Sequence, residues 1–407
     1  MKTRLMLPAA FVCLGLAVQS SGAQKVPDRP RLPKTADTND ANAYYSWGLQ
    51  QVEKQPEDAA AAFYWATRLD PAMADAFYAR RVALLLEDRR RLLKYWQGDE
   101  GTIRSDDIRR IDSLYYHALT LNPFVPARLE HVIFDAVLDQ ISENLGRQTG
   151  DSPGEIRFEL EHYMFDAPPE LRAYQAHAEG RLQDALTLYA SAIDAAHFKA
   201  TLRVDRATVF YEAGQLDSAL AELTAAATEM KKRDNKDLVY VYDSKALLDE
   251  RIAVTYLRLG KLDSAREALG QALQEDLSYS PAHVYLAYLA MARQDTATTM
   301  SEMDLAVQLR PDDPAMQYAY GVVLMNAGRL DDAAPHFRAA IARDSVYAAP
   351  YFSLAQVLDK RGRAADAAGE YSAYLTVAPR SGTQRDEAQA RLKALQPGGG
   401  PTPEPRP

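Results

Sequence analysis

A 34-residue period runs through this 407-residue chain and restricts its fold more than any other feature. Gly321, Gly328, Ala333, Phe337 and Ala340 return 34 residues later as Ala355, Gly362, Ala367, Tyr371 and Tyr374. Moving back by the same step finds Ala287, Thr299, Met303, Ala306 and Pro311, then Ala253, Gly260, Ala265, Leu269 and Ala272. A separate pair keeps the period: Ala173, Gly180, Ala185, Tyr189, Ala192, then Ala207, Gly214, Ala219, Leu223, Ala226. Such spacing marks one supersecondary unit that cannot bury its apolar face alone and must stack on copies of itself. Inside each unit, apolar residues recur at three and four, the helical period, and no stretch of any length alternates as a strand would. The Gly of GKLDSA, GQLDSA and GRLDDA is placed to end a first helix, and the Asp or Ser after it to start a second. Small residues at fixed slots let neighbouring helices approach, and the aromatic or Leu between them fills the remaining space.

These slots and this period resemble the tetratricopeptide repeat (TPR) family, which stacks helix–turn–helix units. The resemblance implies an all-α fold: a right-handed helical solenoid of stacked TPR units with a C-terminal capping helix. Six regular repeats fit the frame, at 166–199, 200–233, 246–279, 280–313, 314–347 and 348–381. Twelve residues at 234–245 break the phase between the second and third, which predicts a loop. Arg172 and Arg206 fill a first-helix slot that the family usually makes apolar. The region 41–165 is weaker. Ala59, Phe63, Ala66 and Pro71 match second-helix slots after a first helix at 43–54, and Ile111, Tyr115, Ala118 and Pro123 match another set. An insertion near 87–105 separates the helices of that second unit, and 124–165 reads as irregular helix. Residues 382–395 carry Ala388, Leu392 and Leu395 on one face, suited to cover the apolar side that an end repeat exposes.

The two ends read differently. Residues 1–23 combine Lys2 and Arg4, an apolar Leu5–Val18 and the small Ser21-Gly22-Ala23, the pattern of a secretory signal peptide cut before Gln24. That apolar stretch contains Pro8 and is too short to span a hydrocarbon core of about 30 Å, so a retained membrane anchor is not expected. Val12 before Cys13 is the wrong neighbour for lipid attachment. Cys13 is the one cysteine, so cleavage leaves neither disulfides nor cysteine metal sites. An exported protein is expected, periplasmic first and extracellular second. Residues 24–40, with Pro27, Pro30 and Pro33, read as a disordered linker, and 396–407 as a disordered Pro/Gly tail.

No phosphate-binding, dinucleotide-binding, zincin or nucleophile-elbow motif occurs, so no enzyme and no cofactor is expected. Glu159 and His162 have the spacing of half a di-iron site, without the second half. A net charge of −9, with no long basic run, disfavours nucleic acid and anionic membranes. What remains is the concave face that TPR proteins usually offer to a protein or peptide. Carried over residue by residue, that face comprises Tyr285, Tyr288, Met291, Tyr318, Val322, Met325, Asn326, Phe352 and Gln356. It is apolar and aromatic, and it lacks the Lys and Asn with which some TPR proteins grip a terminal carboxylate. The expected partner is therefore a protein or peptide held on aromatic side chains. Sugar chains of the cell envelope, stacked on the same tyrosines, are the alternative. Oligomeric state is open, and so is whether the groove is free or filled by the chain itself.

Overall fold

A computed structural model describes residues 26–88, 92, 106–126, 128–164, 168–233 and 244–395. The expected signal peptide, the 396–407 tail and most of the 234–245 and 87–105 insertions lie outside the described residues. Among the described residues every regular element is an α-helix, and none is long and apolar enough to cross a membrane. The N-terminal helices are α1 (Ala41–Gln51), α2 (Pro56–Leu69), α3 (Ala74–Glu87) and α4 (Asp106–Leu121). Two irregular helices follow, α5 (Glu130–Thr149) and α6 (Pro153–Met164). Six helix pairs then form the regular array: α7 (Pro169–Ala178) with α8 (Leu182–Ala195), α9 (Ala200–Glu212) with α10 (Leu216–Arg233), and α11 (Lys245–Arg258) with α12 (Leu262–Glu275). The last three pairs are α13 (Ser280–Ala292) with α14 (Thr296–Leu309), α15 (Pro314–Asn326) with α16 (Leu330–Arg343), and α17 (Ala348–Lys360) with α18 (Ala364–Val377). The final helix, α19 (Thr383–Leu395), lies on the end of the stack.

The turn inside each pair follows from one backbone requirement. At Gly328 the chain takes φ 76°, and Arg329 N donates to Leu324 O at 2.9 Å, closing the first helix. Five repeats place glycine at this position, but the repeat 280–313 places Gln294 there, at φ 62°. The Asp after each Gly is not the cap. Asp263 and Asp331 sit in the first turn of their helices, while Lys261 and Arg329 occupy the cap positions without a side-chain capping bond. The left-handed residue and its closing bond consume the linker, so the helix starts earlier than a capping Asp would allow. The carboxylates still face the positive end of the helix dipole.

Packing explains the small slots. An added Cβ at Gly321 would stand 2.6 Å from the Phe337 ring, and one at Gly48 would meet Phe63 at the same distance. The α1–α2 pair thus repeats the contact of α15–α16, which makes it a unit of the same kind. A second slot joins the helices of a pair through polar groups. Arg203 donates to Glu222 at 2.8 Å, His283 pairs with Glu302 at 2.7 Å, and Gln317 with His336 at 2.9 Å. His283 and Gln317 are one repeat apart, and Arg203 lies two repeats and the 234–245 insertion before His283, so this position tolerates different donors and acceptors. The unusual Arg206 is accommodated here too, donating to the other oxygen of the buried Glu222 at 2.6 Å. A buried carboxylate between two guanidiniums replaces the apolar contact that the family usually makes.

Three of the apolar clusters divide the molecule. One draws its buried residues from 52 to 137, one from Phe124 and 200–289, and one from 287 to 388. Ala388 is fully buried in the last, with Leu392 and Leu395 packed on it, so α19 covers the side that would otherwise expose Tyr371. Residues 26–40, expected as a disordered linker, instead pack against α1 and α2. Leu32 joins the cluster of Tyr44 and Ala66, Trp65 donates to Pro27 O at 3.1 Å, and the Arg29 guanidinium lies 4.6 Å from the Trp65 ring centre. Aromatic side chains on α2 supply the surface that the proline-rich segment cannot make for itself.

Candidate interaction surface

The residues expected on the inner face separate into three groups. Tyr288 and Met291 on α13 keep 41% and 42% of their surface exposed. Asn326 at the end of α15 is also exposed. Between these extremes, Tyr285, Val322 and Met325 are half-buried against the neighbouring clusters.

Tyr318 is half-buried and engaged. Its ring meets Tyr347 edge-on at 5.4 Å and Phe337 at 5.9 Å. Phe352 is not a groove residue at all. It is buried between α17 and α18, with Tyr374 at 5.2 Å and Tyr371 at 6.0 Å. Gln356 is taken by the last helix, donating to Glu387 at 3.2 Å. Position in the repeat predicts an inward direction for both residues, but at the end of the stack α18 and α19 fill the space they point into.

A second group was missed by sequence position: residues of the N-terminal region that lie on the array. Phe124 stacks on Tyr211, centroids 3.7 Å apart and planes within 8°, while Arg258 lies 4.7 Å from the same Tyr211 ring. Arg251 donates to Pro123 O at 2.9 Å. Beside it Glu250 is fully buried, its Oε2 accepting from the Tyr279 hydroxyl and its Oε1 without a hydrogen-bond partner. Burial pushes the Glu250 carboxyl up to about 8, against the opposing pull of the Tyr279 hydroxyl and Arg251. Burial also raises the Tyr285 hydroxyl, which faces Glu250, Tyr211 and Tyr288. The only hint of this in the sequence was Pro123-adjacent Phe124, an aromatic outside any repeat slot.

His283 and His336 are satisfied within their repeats, and His117 is held down to about 4 by burial and by Arg310. Among the described residues no three His, Cys, Asp or Glu side chains gather as a metal site would require; the His162 side chain lies outside them. The arrangement offers surfaces: an exposed aromatic–thioether patch on α13, and a covered face on the later repeats.

Residues 251–314, 301–348 and 318–382 match the tetratricopeptide repeat family model, so this stretch of the chain carries TPR units. No curated protein matches. Among solved structures, the chain is similar to YrrB, described as a TPR protein with an unusual peptide-binding site, at 17% identity and a TM-score of 0.37, covering 46% of this chain and 91% of that one. It is similar to a tetratricopeptide repeat protein from Parabacteroides merdae ATCC 43184 at 18% identity and a TM-score of 0.42, covering 56% and 82%. MamA is similar at 13% identity and a TM-score of 0.35, covering 42% and 88%.

Proposed function

We propose that this chain is an exported, non-enzymatic TPR scaffold that holds a protein or peptide partner on the open part of its inner face, centred on Tyr288 and Met291. The export reading rests on residues 1–23, and the periplasm is the first expected compartment. The observation that carries the binding reading is the exposure of these two side chains beside fully packed neighbours. Large apolar groups on a rigid helix lose little freedom on contact and commonly anchor interfaces. Met291 adds an adaptable thioether that fits irregular apolar partners.

A peptide library displayed at fixed density, probed with the purified chain, tests the reading. Tyr288→Ala and Met291→Ala should each weaken retained binding by roughly 1–3 kcal/mol, as for interface anchors. Binding that is unchanged in both variants places the partner elsewhere. Envelope glycans serve as the competing probe, and a melting shift with glycans but none with peptides would favour the sugar-binding alternative.

A further inference from the structure

Contacts between the N-terminal helices and the later repeats recur with the period of the array. Arg310, Asp344 and Ala378 are 34 residues apart, and each is the residue that closes the second helix of its repeat. Each of them meets the N-terminal region. Arg310 donates to Thr120 at 2.7 Å and to Nδ1 of His117, which must be the accepting nitrogen because a guanidinium only donates. Asp344 accepts from Arg68 at 2.5 Å. Ala378 O and Thr376 O each accept from the Asn39 amide at 3.1 Å, and Asp37 accepts from Arg380 N next to them. The order is reversed: as the array advances from 310 to 378, the N-terminal chain runs back from 120 to 37.

This is docking in register rather than a shared core. The cluster of 52–137 takes no buried residue from the array, and the cluster of 287–388 takes none from the N-terminal helices. The apolar link at these turns is Val346, which packs on the cluster of Tyr44, Ala62, Ala66 and Leu69. Polar contacts of this kind exchange for contacts with water at modest net cost, whereas a cleaved apolar core would not. Phe124 is different, because it is buried inside the 200–289 cluster and holds the segment's end firmly.

We infer that residues 26–88 and 106–121 form an intramolecular clasp on the last three repeats, pinned at Phe124 and releasable at Arg310, Asp344 and Ala378, so that the face around Asp344 and Val346 is uncovered only when the clasp opens. The N-terminal helices are then a built-in occupant with which any ligand of that face competes. The inference does not depend on what binds at Tyr288.

The full-length chain tests it by hydrogen exchange at the backbone amides of 344–347 and 376–380. Arg68→Glu places like charges together and should speed exchange there about tenfold or more, as expected for a broken, largely desolvated pair. Amides within α11 and α12 should not change. Adding Asp344→Arg restores an opposite-charge pair and should return the rates toward those of the parent. In a Cys13→Ser background, Asp37→Cys with Arg380→Cys and a short bis-maleimide should give an intramolecular cross-link that slows exchange at 344–347. If Arg68→Glu speeds exchange uniformly along the chain and the charge swap restores nothing, the contacts are plain structural packing and the clasp is refuted. Failure to cross-link, or cross-links only between two molecules, refutes it equally.

Discussion

Arg68 and Asp344 are 276 residues apart in the chain and 2.5 Å apart in space. The Asp344 side chain is 5% exposed and that of Arg68 27%, so the pair is largely removed from water. An ion pair so placed is a weak source of net stability, because desolvation of both charges offsets most of their attraction. Its consequence is geometric: it fixes which turn of the array meets which helix of the N-terminal region. Within the array itself, the tyrosines of the inner face separate into packed Tyr318 and open Tyr288.

That separation is measurable by substitution. Tyr318→Ala removes a ring packed on Phe337 and Tyr347 and should lower unfolding free energy by about 1–3 kcal/mol, less than for a fully buried aromatic. Tyr288→Ala, from a side chain 41% exposed, should stay within about 0.5 kcal/mol of the parent. Urea unfolding followed by circular dichroism decides. Equal losses for the two would place Tyr288 in the core and remove the basis of the proposed interaction patch.

The Glu250 carboxyl predicts a dependence on pH. Its folded value of about 8 stands above the ordinary 4.5, so between these values the folded chain holds a proton that the unfolded chain has released. The stability associated with this group is therefore full below about pH 4.5 and is lost as pH rises through 8. Glu250→Gln, which cannot ionise, should gain on the parent across that range, by a few kcal/mol at most at about 1.4 kcal/mol per unit of displacement. Parallel stability–pH curves for parent and variant from pH 5 to 9 would show that the carboxyl is already ionised in the fold.

The turn at Gln294 carries strain that its five glycine counterparts lack. With φ at 62°, a side chain is held where L-residues rarely rest. Gln294→Gly should stabilise the protein by about 1 kcal/mol, the relief of strain exceeding the greater freedom of glycine in the unfolded chain. The reverse change, Gly328→Gln, should cost a similar amount. Thermal melts of both variants check the pair, and a loss of stability in Gln294→Gly contradicts the assignment.

The last helix offers the plainest test. Deleting 382–407 removes Ala388 and uncovers Tyr371, which is 1% exposed, so stability should fall by a few kcal/mol. Deleting 397–407 alone should change it by less than about 0.5 kcal/mol. Similar melting of the two truncations would show that α19 covers nothing of consequence.

Periodicity made the array legible because each repeat meets only its neighbours, so the contacts that define it are local and recur at a fixed step. Ala333, Phe337, Ala340 and their equivalents could be assigned to the helix contact from the sequence alone, and all three are fully buried. The inner face was harder. The repeat position of Phe352 and that of Tyr318 are the same, yet Tyr371 and Tyr374 of α18 bury the first while Tyr347 and Phe337 flank the second, which stays half-buried. Arg206 looked like a defect until Glu222 supplied its charge.

The sequence by itself determined the all-helical class, the glycine turns and the need for a terminal cap, since all of these depend on spacing within one or two repeats. Only the tertiary structure decided that the proline-rich 26–40 segment packs rather than floats, and that Tyr288 is open while Phe352 is closed. It alone brought Asn39, Arg68 and Thr120 to three equivalent turns of the array. The reason is physical: those contacts join residues hundreds of positions apart through single polar groups. A single polar group leaves no periodic trace, whereas a stacked apolar face must write itself into every repeat.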